Sequence, residues 1–130
     1  MVNSTVSVVG GDDEINPSLL TFIEKYVNSF AKWDLIRFFH DLPYSVESAE
    51  TVAHATGRDP DSVVRALQEL TQLGLVESSV VQSGETLYML TSDHAMRTLV
   101  NSFILACDNA QFRVRAIYHV IRALQTEVRS

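Results

Sequence analysis

Cysteine is nearly absent from this chain: Cys107 is the single one among 130 residues. One cysteine cannot build a disulfide framework, and such a composition fits a reducing compartment. Long apolar runs are missing as well, since none approaches the ~20 residues that a membrane-spanning helix needs. The first residues have neither the basic segment nor the apolar core of a signal peptide. We therefore expect a cytoplasmic protein without a membrane partner.

Motifs of catalysis and metal binding are also missing. The sequence contains no glycine-rich phosphate loop, no nucleophile elbow and no HExxH pair. Its histidines lack the spacing of metal ligands; they are His40, His54, His94 and His119. We expect a protein that is not an enzyme and that uses no metal and no cofactor.

Basic residues are few, and they are unevenly placed. Ten lysines and arginines oppose sixteen acidic residues, for a net charge of −6, whereas nucleic-acid binders are usually basic. Residues 44–91 are the most acidic part, because only Arg58 and Arg65 oppose seven carboxylates there. Residues 92–130 have five arginines against three acidic residues. The charge map alone therefore argues against a generic nucleic-acid binder.

The clearest local pattern lies in residues 48–91. Ser48 is placed to cap one helix, which Gly57 ends. Asp59 is placed to cap a second helix with Pro60 at its first position. That second helix has one apolar face at steps of three and four, formed by Val63, Val64, Leu67 and Leu70. After Gly74, two strands joined by a turn at residues 82–85 predict a hairpin.

This stretch resembles the winged helix-turn-helix of small microbial transcription regulators of the MarR and ArsR type. The resemblance is carried by the turn at residues 55–57 and by the run Leu-x-x-Leu-Gly-Leu-Val-Glu that ends at Glu77, followed by a glycine-tipped hairpin. It implies a mainly α fold with a small β-hairpin wing (α+β). It also implies that the second helix enters the major groove of DNA. The predicted DNA contacts are Arg58, Ser62, Arg65, Gln68 and Gln72.

Two interpretations of that helix remain open. Arg65 could pair with guanine and a glutamine with adenine, which would make the chain a DNA-binding regulator. Alternatively, Glu69 lies four residues after Arg65, where it could form an ion pair on a solvated face. Residues 78–86, the expected wing, contain no basic side chain. A winged-helix adaptor that binds a protein partner through its acidic face is therefore the alternative function.

The N-terminal part predicts a tail followed by helices. Residues 1–16 are polar, and we expect a flexible tail in which residues 6–9 are a candidate strand. Asn16 and Pro17 predict a helix start. Two apolar stripes then follow, and the shift between them indicates either a bend near Ala31 and Lys32 or one helix buried on two sides. Residues 17–91 are therefore interpreted as a winged-helix domain with an extra N-terminal helix.

The C-terminal part, residues 92–130, contains no proline and no glycine. Its apolar residues recur at steps of four and three, which predicts a long helix with a coiled-coil seam in a homodimer. The predicted interface residues are Val100, Phe103, Cys107, Ala110, Val114, Ile117, Ile121, Leu124 and Val128. A break at Asp108 and Asn109, giving two helices that close one monomer, is the alternative. In the seam, Cys107 is expected to be a buried, inert thiol rather than a redox sensor.

Overall fold

The computed structural model of the chain describes residues 16–129, and side chains up to residue 126. The predicted tail and its candidate strand therefore lie outside the described residues, except for Asn16. The side chain of Val128 lies outside them too.

Six helices and three short strands make up the described part. The helices are α1 (Pro17–Tyr26), α2 (Phe30–Asp41), α3 (Ala49–Thr56), α4 (Pro60–Gln72), α5 (His94–Ala106) and α6 (Ala110–Arg129). The strands are β1 (Glu47–Ser48), β2 (Val76–Val80) and β3 (Thr86–Leu90), in the antiparallel order β1-β3-β2. This order places the returning strand of the hairpin in the centre of the sheet.

The helix-turn-helix and wing are confirmed, and their bounds follow from local chemistry. Ser48 Oγ accepts a hydrogen bond from the N–H of Thr51 at 3.2 Å, and Asp59 Oδ2 accepts one from Ser62 at 3.1 Å. Gly57 ends α3 with a φ of 68°, a left-handed conformation that glycine adopts at little cost. In the hairpin, Val76 lies opposite Leu90. The chain is thus an α+β winged helix-turn-helix.

The N-terminal helices are two, not one. Tyr26 ends α1, and Ser29 begins α2 by accepting a hydrogen bond at Oγ from the N–H of Lys32 at 3.1 Å. The break therefore falls at residues 27–29, slightly before the bend that the sequence predicts. Val27 in this break is fully buried, so the chain turns without leaving the core.

The C-terminal region also breaks, and the prediction of one continuous helix is wrong. At the end of α5, the N–H of Cys107 donates to the carbonyl of Phe103 at 3.1 Å. The side chain of Arg113 then donates to the carbonyl of Cys107 at 2.7 Å. Asn109 Oδ1 then accepts from the N–H of Phe112 at 2.9 Å and begins α6. A side-chain cap thus replaces the glycine or proline that usually marks such a break.

The first part of the predicted coiled-coil seam lies inside the monomer. Val100, Phe103 and Cys107 are 1%, 0% and 2% exposed. The ring of Phe103 lies 5.3 Å from that of Phe22 and 5.5 Å from that of Trp33, between centroids. Since these side chains are covered by α1 and α2, they cannot also contact a second copy in this fold. Their interpretation as dimer-interface residues is corrected.

Candidate nucleic-acid interface

Four of the five predicted DNA contacts lie along α4. Its buried face packs on the core through Val63, Ala66, Leu67 and Leu70. The opposite side presents Arg65, Gln68 and Gln72 to solvent, with Ser62 half-buried beside them. Steps of three and four residues keep these side chains on one face of the helix. The structure therefore brings Ser62, Arg65, Gln68 and Gln72 together as one polar surface.

Arg58, the fifth predicted contact, lies just before α4 and forms an ion pair with Asp34 instead of joining this surface. Its Nε lies 2.7 Å from Asp34 Oδ2 on α2, and both side chains are partly exposed. The pair ties the turn before α4 to α2. Arg58 therefore has its charge balanced within the chain.

Arg65 has a different environment. Its Nη2 lies 3.5 Å from Ser62 Oγ, a long contact, and no carboxylate of residues 16–126 forms an ion pair with it. The ion pair with Glu69, which the sequence offered as an alternative, is absent, because Glu69 Oε1 lies 2.5 Å from Lys32 Nζ. Arg65 thus has no carboxylate partner among these residues, and apart from the long contact to Ser62 its donors are available.

Lys32 is the functional candidate that the sequence did not reveal. It lies in the first turn of α2, is 5% exposed, and also donates to Asn28 Oδ1 at 2.9 Å. A buried ammonium group is costly unless it is paired and hydrogen-bonded, so Lys32 explains why Glu69 turns away from Arg65. The two residues are far apart in sequence, and local spacing carries no signal of their contact.

The wing has little to offer to phosphate groups. Its turn is closed by a hydrogen bond from Val81 N–H to the carbonyl of Glu85 at 2.9 Å. Val80 is 70% exposed at the end of β2, and no basic residue lies in residues 78–86. Because phosphate neutralisation supplies most non-specific affinity for DNA, α4 rather than the wing is the candidate contact surface.

A second surface lies on α6. One face of this helix packs inward through Ala116 and Val120, which are fully buried. The other leaves Val114, Ile117 and Ile121 exposed by 65%, 38% and 42%. With exposed Ala110, they form an apolar stripe at steps of four and three, here called the α6 stripe. Leu124, also predicted at the interface, is half-buried against the core.

The thiol of Cys107 is unsuited to sensing oxidants. It is 2% exposed at the end of α5. Burial raises the pKa of the Cys107 thiol to about 11, outweighing the attraction of nearby Arg37 and Arg113 for the thiolate. Since the thiolate is the reactive form, the inert role expected for this residue agrees with its surroundings.

The described residues contain neither a metal-binding cluster nor a membrane-spanning helix. No group of three or more histidine, cysteine, aspartate or glutamate side chains is placed there to hold a metal ion. Within the same part of the chain, no helix has the length and apolar character needed to cross a membrane.

No family model and no curated protein matches this chain. Among the solved structures that are similar to it are the following two. A protein described as a possible transcriptional regulator, from Methanosarcina mazei Go1, is 17% identical with a TM-score of 0.45, over 58% of this chain and 68% of its own. A mutant of Lactococcus lactis ZitR is 20% identical with a TM-score of 0.41, over 73% of each chain. Similarity this distant assigns no function to the chain.

Proposed function

We propose that this chain is a transcriptional regulator that binds duplex DNA as a winged-helix homodimer. The observation that carries the proposal is the state of Arg65 on the exposed face of α4. A buried lysine holds Glu69, one helical turn from Arg65, and no carboxylate of residues 16–126 forms an ion pair with Arg65, so its guanidinium can bind an acceptor on DNA. Arginine and glutamine side chains on such a helix are the usual donors to base edges and phosphates.

The proposed contact surface has four members. Ser62 and Arg65 lie in the first half of α4, and Gln68 and Gln72 extend the same face towards its end. The glutamines can each make a bidentate contact to adenine in the major groove. Arg58 is left out of the contact set, because its pair with Asp34 instead fixes the start of α4 relative to α2.

The second copy is proposed to bind along the α6 stripe. An exposed apolar stripe of this kind is costly in water unless another surface covers it. The face of α6 opposite to it is already buried within the chain, so the partner must come from outside. A two-fold contact between identical stripes is self-complementary, and it would present two α4 helices to successive half-sites on DNA.

The proposal is tested by selecting ligands from a pool of duplex DNA with a randomised core. The wild-type chain should enrich a sequence with two-fold symmetry. Arg65→Ala should weaken binding to that sequence by about 1–3 kcal/mol. Arg37→Ala is the matched control, because Arg37 is also an exposed arginine but lies on α2. If no sequence is enriched, and the chain instead binds a protein partner through the acidic residues of the 44–91 region, the chain is an adaptor and not a regulator.

A further inference from the structure

A small polar cleft separates the first turn of α2 from the side of α4. Its volume is about 260 Å³. Its polar lining consists of Asn28, Ser29 and Lys32 on one wall, and of Ser62, Arg65 and Glu69 on the other. The cleft is smaller than the roughly 300–1,000 Å³ pockets that hold drug-sized ligands. It therefore fits a small group rather than a whole cofactor.

Lys32 gives one wall of the cleft a buried positive charge. Its ammonium group has three donors, and two of them are used by Asn28 Oδ1 at 2.9 Å and Glu69 Oε1 at 2.5 Å. No further acceptor for it lies among the described residues. Glu69 itself is 57% exposed in its side chain, so water can hydrate its carboxylate when an anion takes its place beside Lys32.

Arg65 supplies a second charge from the opposite wall. Its guanidinium has no carboxylate partner in residues 16–126 and lies near the hydroxyl of Ser62. Lys32 and Arg65 against Glu69 leave the cleft with a net charge of +1. Two cations on facing helices, with the Ser62 hydroxyl beside one of them, form an arrangement suited to a tetrahedral anion with several oxygen acceptors.

We propose that this cleft binds a phosphate group. Arg65 and the Ser62 hydroxyl are its direct donors, and Lys32 supplies the charge at the base of the cleft. A carboxylate ligand would only duplicate what Glu69 already gives Lys32, whereas a phosphate has oxygens for both walls. The phosphate group comes either from the DNA backbone or from a phosphorylated small molecule. The first source rests on the proposed function and makes Arg65 a backbone contact rather than a reader of guanine.

The first experiment titrates the full chain with inorganic phosphate and with pyrophosphate, at ionic strength matched with chloride, and follows backbone amide signals by NMR. Saturable shifts are expected at Ser29, Ser62 and Arg65. Arg65→Gln should weaken this binding by about tenfold or more, since a hydrogen bond to a charged group is lost. Glu69→Gln should strengthen it by removing the competing carboxylate.

The control variant is Arg37→Gln, which removes an exposed arginine from α2 outside the cleft. It should bind phosphate as the wild type does. Equal weakening in Arg37→Gln and Arg65→Gln would show a general charge effect and overturn the proposal. Absence of any saturable shift, in a wild-type chain that also shows no Arg65-dependent DNA contact, would overturn it as well.

The second experiment measures duplex DNA binding against salt concentration for the same variants. If the DNA backbone is the source, Arg65→Gln should lower the log–log slope by about 0.9 on every sequence. Phosphate binding without DNA binding assigns the cleft to a small molecule and refutes the proposed function alone. DNA binding with an unchanged slope, together with no phosphate shift, refutes the cleft alone.

Discussion

At the scale of single residues, Glu77 fastens the wing to the helix that follows it. Its Oε2 accepts from the N–H of Ser92 at 2.8 Å, from Ser92 Oγ at 2.9 Å and from Thr91 Oγ1 at 3.3 Å. These hydrogen bonds, the backbone one above all, favour the ionised carboxylate and hold the pKa of Glu77 below its usual value. One side chain on β2 therefore fixes the start of α5.

This lowered pKa predicts a pH-dependent contribution to stability. Because the pKa of Glu77 is lower in the folded state than in the unfolded state, its contribution is present above the unfolded pKa and is lost as the pH falls through the folded pKa. Glu77→Gln should therefore lower the free energy of unfolding near neutral pH, by about 1 kcal/mol at most because the group is exposed. Urea unfolding of both proteins, near neutral pH and in acid, measures the difference. A deficit that is equally large in acid would contradict this account.

At the scale of elements, the break between α5 and α6 decides which apolar residues face inward. Phe103 packs on Phe22 and Trp33 before the break. Ending α5 at residue 106 brings Phe112, at the start of α6, to 6.1 Å from Phe103 between ring centroids. A continuous helix would carry the second half of the region away from the domain. The break instead folds α6 back onto α1.

The cap on α6 carries a second prediction. Asn109→Ala removes the acceptor for the N–H of Phe112 and should lower the free energy of unfolding by about 1 kcal/mol. Asn109→Asp keeps an acceptor at the same position and is the matched control. Denaturant melts of the three proteins compare them directly. Equal stability of the alanine and aspartate variants would show that Asn109 does not cap the helix.

The sequence predicts some helices of this fold better than others. Helices α3 and α4 were predictable, because the caps Ser48 and Asp59 and the stop at Gly57 act within a few residues. The split of the C-terminal region was harder, since its apolar residues satisfy both a coiled-coil seam and a two-helix packing. Only the packing of α6 back onto α1, with Phe112 beside Phe103, distinguishes the two.

The candidate site was also only partly predictable, because local spacing does not reveal contacts between distant parts of the chain. Spacing placed Ser62, Arg65, Gln68 and Gln72 on one face of α4. It also suggested that Arg65 pairs with Glu69, because the two residues are one turn apart. The tertiary structure instead offers Glu69 a buried lysine, and a buried charge competes for a carboxylate more strongly than an exposed one does. The cleft therefore could not be found from α4 alone.

At the scale of the whole molecule, the α6 stripe predicts association. Val114→Asp places a charge in the centre of the stripe and should convert a dimer into a monomer, because burying an unpaired carboxylate is costly. Sedimentation velocity over a range of concentrations measures the change. Val80→Asp is the matched control, since Val80 is a similarly exposed valine on the wing. A wild-type chain that stays monomeric at high concentration would contradict the proposed dimer.

The central claim is that this acidic chain binds duplex DNA through α4. The most direct measurement is fluorescence anisotropy of a mixed pool of labelled duplexes with the purified protein at several salt concentrations. Binding that weakens with salt, with a log–log slope equal to about 0.9 for each of several phosphates, is the predicted result. No detectable binding even near 50 mM salt, where phosphate contacts are still strong, would contradict the claim.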